Sequence, residues 1–189
     1  PDCIVLSDEV YEHLVYEENV HISFASLPGM FDRTITVSSS GKTFSTTGWK
    51  VGWAIGPEKL ISKLQFTQQY VTFSVSKPHQ QAIADCLIHA RKNNYYTELN
   101  SLYLKKRELL FNGLEISGLN PIMPQGSFFI ICDISNINLS LDRDFEKINQ
   151  MNIDGKIQSD TTTFDLHDYN FCRSLSLNHN VTAIPSSAF

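Results

Sequence analysis

Five residues combine the types and the spacing that chemistry needs: Asp8, Tyr11, Ser39, Lys42 and Lys50. Asp8 closes a short apolar run and precedes Tyr11 by three positions. Lys42 follows a second apolar run and is bracketed by Gly41, by Ser38-Ser39-Ser40 and by Thr43. Lys50 lies eight positions on, inside Gly48-Trp49-Lys50-Val51-Gly52. A lysine at a strand end can have its charged form disfavoured by burial, which makes a free amine available as a nucleophile. Taken singly, each residue also has a plain reading. Lys42 can be a surface lysine in a Gly/Ser loop, Asp8 a helix cap, Tyr11 a packed core tyrosine, Ser39 a turn residue and Lys50 a solvated lysine. The set, not any member, points to a site.

The elements that must position these residues are legible around them. Cys3-Ile4-Val5-Leu6-Ser7-Asp8 reads as a buried strand of the parallel α/β kind. Arg33-Thr34-Ile35-Thr36-Val37-Ser38 is a second strand, rich in β-branched residues. Val51-Gly52-Trp53-Ala54-Ile55-Gly56 is a third. Ligands of open α/β sheets sit outside the carboxyl ends of strands, where Asp8 and Lys42 both fall. Helices are expected from Pro57, with Leu60, Ile61 and Leu64 as its face, and from Pro78, with Ile83, Leu87 and Ile88. A long helix from Tyr95 is expected to end at Gly113 as its C-cap, with Lys105-Lys106-Arg107 on its solvated face. Beyond it come a turn-rich stretch over Asn120–Gly126, a strand over Ser127–Asp133 and a polar loop over 136–163. Asp165 is expected to cap a helix reaching Leu177, and Val181-Thr182-Ala183-Ile184 to form a closing strand. The expected division is a large-domain piece over residues 1–115 and a smaller α+β piece over 116–189.

Composition bounds the function. At roughly 150 residues per domain, 189 residues make one large domain or two small ones, long enough to bury a core. With 9 Gly and 7 Pro the chain is neither collagen-like nor of low complexity. Its formal net charge of −5, without long runs of either sign, argues against an electrostatic nucleic-acid binder. Apolar stretches fall far short of the roughly 20 residues that span a bilayer, so no membrane partner is expected. Pro1-Asp2 opens directly into a strand-like run, and no signal peptide is expected. Cys3, Cys86, Cys132 and Cys172 are too far apart for a CxxC pair, and apolar neighbours mark them as buried thiols of a reducing, cytoplasmic compartment. The 6 histidines show no ligand spacing, so no metal site is expected. Trp49 and Trp53 read as packing residues.

Longer motifs carry a resemblance. Ser7-Asp8-Glu9-Val10-Tyr11, His21-Ile22-Ser23, Ala25-Ser26-Leu27-Pro28-Gly29-Met30 and the run Ser39–Trp53 resemble the class I pyridoxal-phosphate aminotransferases. Within that class they are most similar to the kynurenine aminotransferase, glutamine transaminase K and cysteine-S-conjugate β-lyase group. Gln125-Gly126-Ser127-Phe128-Phe129 and Ala183-Ile184-Pro185-Ser186-Ser187-Ala188-Phe189 add to it.

The resemblance implies the fold type I architecture: a large domain with a mainly parallel sheet, then a smaller α+β domain. It implies pyridoxal 5′-phosphate as cofactor, with amino acid and 2-oxo acid substrates. Lys42 matches the lysine that holds the cofactor as a Schiff base and then moves the substrate's α-proton. Asp8 matches the carboxylate on the pyridinium nitrogen, and Tyr11 the phenol on the ring oxygen. Ser39 and Lys50 match phosphate contacts, Lys50 standing where much of the class has arginine. Phe73 matches a residue that reaches the neighbouring subunit's substrate pocket, so a homodimer is implied. Family members are more than twice this length, so the chain is expected to be the C-terminal part of a longer enzyme, ending before the arginine that clamps the substrate carboxylate. Mitochondrial placement is the alternative to cytoplasmic. A β-lyase on the same scaffold and a non-catalytic module stay open as alternative functions.

Overall fold

The computed structural model describes residues 3–137 and 167–189. Asp165 and most of the expected loop over 136–163 lie outside the described residues. The chain divides into two compact units, Pro1–Gly113 with Met123–Ile130, and Leu114–Ile122 with Ile131–Phe189.

The first unit is built on a three-stranded sheet. Strand β1 (Val5–Asp8) pairs in parallel with β2 (Thr34–Ser39), with Asp8 opposite Val37. Strand β3 (Gly52–Ile55) joins the other edge of β2 in antiparallel register, with Gly52 opposite Ser39. The class is α/β as expected, although one of these pairings is parallel and the other antiparallel. The antiparallel return lets β3 begin where β2 ends, so the residues just before Gly52 arrive at the same sheet edge as Ser39.

The expectation that the first strand is buried holds for one face only. Side chains alternate across a strand. Val5 and Ser7 point to the half-buried side, whereas Leu6 is 69% exposed. The four thiols depart from expectation for the same reason. Apolar neighbours do not decide which face a cysteine takes: Cys3 is exposed, and Cys86, Cys132 and Cys172 are half-buried and unpaired.

Four helices belong to the strand-and-loop frame. Helix α1 (Ser40–Thr43) is one short turn directly after β2. Helix α2 (Glu58–Val71) has Pro57 at its N-cap, and α3 (Lys77–Lys92) takes Pro78 in its first turn, where a missing N–H is harmless. Of the expected α3 face, Ile83 is buried, Ala90 joins it, and Ile88 is exposed. Helix α4 (Tyr95–Ile116) passes through Gly113 instead of stopping there. The stop is Gly118, whose φ of +81° suits a residue without Cβ; Gly118 N–H donates to Glu115 O at 3.0 Å and Leu119 N–H to Leu114 O at 3.1 Å. That bond pair is a Schellman closure.

Arg107 overturns the expected solvated face of α4. Lys105 and Lys106 are exposed, but Arg107 is only 6% exposed. Its Nη2 donates to Glu17 Oε1 at 2.7 Å, its Nη1 to Pro124 O at 2.9 Å, and its guanidinium lies 4.8 Å from the Tyr16 ring centroid. Three spaced attractions draw in a side chain that charge alone would leave in water.

In the second unit, β4 (Asn120–Ile122) pairs antiparallel with β5 (Ile131–Asp133). The expected strand over Ser127–Asp133 is thus confined to its last three residues, and part of the turn-rich stretch is a strand. Helix α5 spans His167–His179. Asn180 turns the chain out of it with φ +55°, a conformation Asn tolerates better than most residues. The expected strand over Val181–Ile184 has no ladder partner among the described residues. Instead Asp168 Oδ2 accepts from Ser186 Oγ at 3.0 Å and Ser187 N–H at 2.7 Å, fixing a short 3₁₀ turn, Ser186–Ala188.

Candidate active site

The carboxyl ends of β1 and β2 and the start of β3 form one sheet edge, and Asp8, Ser39, Lys42 and Lys50 all stand along it. Ser39 caps α1: its Oγ accepts from Gly41 N–H at 3.3 Å, leaving its own hydroxyl hydrogen available. Ser40 is fully buried and donates to Val51 O at 3.1 Å, while Thr46 Oγ1 donates to Ser40 O at 3.1 Å. These bonds close the loop between β2 and β3 on itself. Tyr95 of α4 donates to Thr43 O at 2.7 Å and stacks on Phe44 at 5.4 Å, holding α1 from outside. Lys42 projects from this braced turn.

Lys50 adopts a left-handed backbone, φ +55° and ψ +39°, and is exposed. A non-glycine residue there is under local strain, which clusters at functional loops. Trp49 is exposed, and its ring stacks on His79 at 4.8 Å.

Asp8 is exposed and accepts from Val10 N–H at 3.2 Å. Tyr11 lies beside Lys42, whose Nζ is 5.9 Å from its ring centroid. Burial, then the negative charge of Asp8 and then Tyr103 raise the Tyr11 phenol above its ordinary range. The phenol therefore stays protonated and can donate. Phe73 stands apart, 85% exposed with φ +62°, beyond the C-terminus of α2.

Sequence reasoning quoted Phe128 only within a motif and gave it no place. Its ring centroid is 5.4 Å from Lys42 Nζ and 5.2 Å from the Tyr11 ring, edge to face. Phe129 meets Tyr11 at 5.9 Å. What brings them there is a second, small antiparallel pairing. Tyr16 N–H donates to Gln125 O at 2.9 Å, Ser127 N–H donates to Leu14 O at 2.8 Å, and Tyr16 Oη donates to Ser127 O. Gly126 is required at the crossing, since a Cβ there would stand 2.9 Å from Leu14 O. A glycine followed by an aromatic pair was the available signal.

Glu9 was also missed as a residue with a role. It is 6% exposed, on the strand face opposite Asp8. Its Oε1 accepts from Ser7 Oγ at 2.9 Å, Phe24 N–H at 3.0 Å and Ser23 Oγ at 3.1 Å, and its Oε2 pairs with His21 Nε2 at 2.9 Å. Burial pushes its carboxyl up, but the bonds from His21, Phe24, Ser7 and Ser23 together bring it below the ordinary 4.5.

The family Aminotransferase class I and II matches residues 2–188. The chain is 45% identical over 190 residues to a kynurenine–oxoglutarate transaminase of Dictyostelium discoideum, covering 100% of this chain and 41% of that protein. It is 40% identical over 193 residues to the human kynurenine–oxoglutarate transaminase 3, covering 100% of this chain and 39% of that protein. Among solved structures it is similar to Escherichia coli YbdL, described as having a methionine aminotransferase function, with TM-score 0.74 and 34% identity, over 98% of this chain and 42% of that one. N-succinyldiaminopimelate aminotransferase from Mycobacterium tuberculosis gives TM-score 0.75 and 32% identity, over 98% and 41%. The chain thus spans about two fifths of the length of these relatives. A match from end to end, on a sheet edge that gathers the motif residues, makes this chain a member of the class I and II aminotransferases.

Proposed function

We propose that this chain supplies the lysine-bearing part of a pyridoxal-phosphate-dependent transaminase, which moves an amino group between an amino acid and a 2-oxo acid. The observation that carries the reading is the gathering of an amine, a carboxylate, a phenol, a hydroxyl and a second cation at one sheet edge. That donor set fits the cofactor. Lys42 offers the amine for its aldehyde, Asp8 an anion for its ring nitrogen, Tyr11 a phenol donor for its ring oxygen, and Ser39 and Lys50 a hydroxyl and a charge for its phosphate. When bound, the cofactor supplies an electron sink for the electrons left by removal of the substrate's α-proton.

The chain's residues do the rest. Lys42 Nζ, beside the Tyr11 and Phe128 rings, carries the α-proton as general base. Asp8, exposed with a single backbone donor, keeps acceptor capacity for a protonated ring nitrogen. Tyr11 stays protonated and donates. The similar kynurenine–oxoglutarate transaminases support an amino donor of the kynurenine, glutamine, aromatic or sulfur amino acid kind. A homodimer would bring the exposed Phe73 to the neighbouring subunit's pocket. The reducing setting that four unpaired cysteines favour supports the cytoplasm.

The test is an absorbance scan of the full gene product containing this chain, with added pyridoxal phosphate, followed by assay with kynurenine and 2-oxoglutarate. A visible band lost on Lys42→Ala, together with amino-group transfer, is the expected result. No band in the wild-type protein overturns the cofactor reading. Release of ammonia without amino-group transfer replaces transamination with β-elimination.

A further inference from the structure

The chain carries two adjacent carboxylates at the end of β1, and the proposed chemistry uses only Asp8. Glu9 instead spends its carboxylate inside the fold, with three bonds on Oε1 and one to His21 on Oε2. Ser7, Ser23 and Phe24 N–H donate to it, and His21 does so in the tautomer that carries hydrogen on Nε2. An ionised carboxylate is the one side chain that offers acceptors alone at both oxygens. Its backbone N–H continues the ladder one step past β1, donating to Val37 O at 2.9 Å.

We propose that Glu9 is a positioning residue for Asp8 and Tyr11, tying the end of β1 to the segment His21–Phe24 so that both side chains are held toward Lys42. The inference rests on the reading of Asp8 and Lys42 given above. Among the described residues Asp8 itself is held by Val10 N–H alone, at 3.2 Å, so its direction follows the backbone on either side of it. Glu9 is the residue immediately after it, and Tyr11 follows two positions later in the same turn, where Glu12 N–H donates to Glu9 O at 3.0 Å. The Glu9 side chain reaches a segment remote in sequence, and those bonds stop the strand end from swinging away from the sheet. A displacement of even about 1 Å at a reacting group is expensive in rate.

The experiment uses the full gene product and does not depend on turnover. Pyridoxal phosphate affinity and the pH midpoint of the bound cofactor's visible band are measured for wild type, Asp8→Asn, Glu9→Ala, Glu9→Gln, Ser23→Ala and Ile83→Ala. Expected is a band shift in Asp8→Asn and a shift of the same sign in Glu9→Ala, with affinity weakened about tenfold. Glu9→Gln rescues most of it, because its amide oxygen can keep the three Oε1 bonds while His21 turns acceptor. Ile83→Ala, which damages a buried α3 position, leaves the band unmoved. If Glu9→Ala does not fold, Ser23→Ala carries the test with a shift of about twofold to threefold in affinity. A moved Asp8→Asn band beside an unmoved Glu9→Ala or Ser23→Ala band overturns the role of Glu9 alone. An Asp8→Asn band that stays in place overturns the reading of Asp8 and this proposal with it. An equal shift in Ile83→Ala makes the effect one of general stability and overturns the proposal too.

Discussion

The charges of the first unit fall into two regions that the protein treats in opposite ways. In one, Glu9 and Arg107 are buried and bonded on several sides, to His21, Ser7, Ser23 and Phe24 for the acid, and to Glu17 and Pro124 for the base. In the other, along the sheet edge, Asp8 has one backbone donor, and among the described residues Lys42 and Lys50 form no ion pair. Strand alternation alone separates Asp8 from Glu9. The difference teaches which charges maintain geometry and which are left with bonding capacity for something else. A buried charge without partners is costly, so the fold satisfies it. A charge that must meet a ligand has to be left open.

Exchanging the two kinds should therefore break different properties. Asp8→Asn is the largest effect expected: transaminase activity of the full gene product falls about a hundredfold to ten-thousandfold, while urea stability stays within about 0.5 kcal/mol. Arg107→Ala reverses the pattern at the level of stability, costing about 3 kcal/mol, because it removes a buried cation and leaves Pro124 O and the space beside Tyr16 unfilled. Arg107→Met should cost less than Arg107→Ala. It refills the space, Arg107 Nε has no partner to lose among the described residues, and Glu17 is 58% exposed and can return to water. Asp8→Asn destabilising as much as Arg107→Ala in urea unfolding would erase the distinction between the regions.

Gly126→Ala tests how far the aromatic side of the edge depends on backbone approach. The new Cβ meets Leu14 O, a backbone atom that cannot rotate away. The chain must open between Leu14–Tyr16 and Gln125–Ser127, drawing Phe128 from Tyr11 and Lys42. About 1–3 kcal/mol of stability is expected to go, with loss of the Tyr11–Phe128 contact seen as changed ring-proton shifts in an NMR spectrum. Unchanged shifts and stability would mean that the aromatic pair is placed without this crossing.

The legibility of these features in the sequence follows the range of the forces behind them. Asp8, Ser39 and Lys42 sit at strand ends marked by local patterning, and the paired strands bear this out. The helix starts at Pro57 and Pro78 were readable because proline acts through its own backbone. Arg107 was misread because its partners are remote in sequence, at Glu17 and Pro124, and no local pattern announces them. Gly113 was taken for the C-cap because a helix can accept a glycine at modest cost, whereas Gly118 has the left-handed φ that a stop requires. The strand over Val181–Ile184 failed because β-branched composition expresses fitness for a pleated surface, and the segment has no neighbouring strand among the described residues. Phe128 and Glu9 acquire their places only through tertiary pairing.

The smallest expected effect is one of pH, within the buried part of the first unit. His13 stacks on Tyr96 at 3.9 Å with the rings 24° apart, and burial lowers its pKa from the ordinary 6.5. Glu12 opposes that shift and His21 adds to it. The neutral ring is therefore the folded form, and the unfolded chain takes up a proton first as pH falls. The contribution of His13 is fully present above 6.5 and is lost as pH drops from there through the folded value. Glu9 behaves alike in sign but in a lower window: with its pKa brought below 4.5, its contribution persists above that value and is lost as pH falls through the folded one. His13→Phe keeps a stacked ring and removes the titration. The difference in urea stability between wild type and His13→Phe should change by less than about 1 kcal/mol between pH 7 and pH 5, with wild type losing more on acidification. The Glu9 network should stay intact over that range, since its acid remains ionised. A constant difference across the range would show that His13 titrates alike in both states.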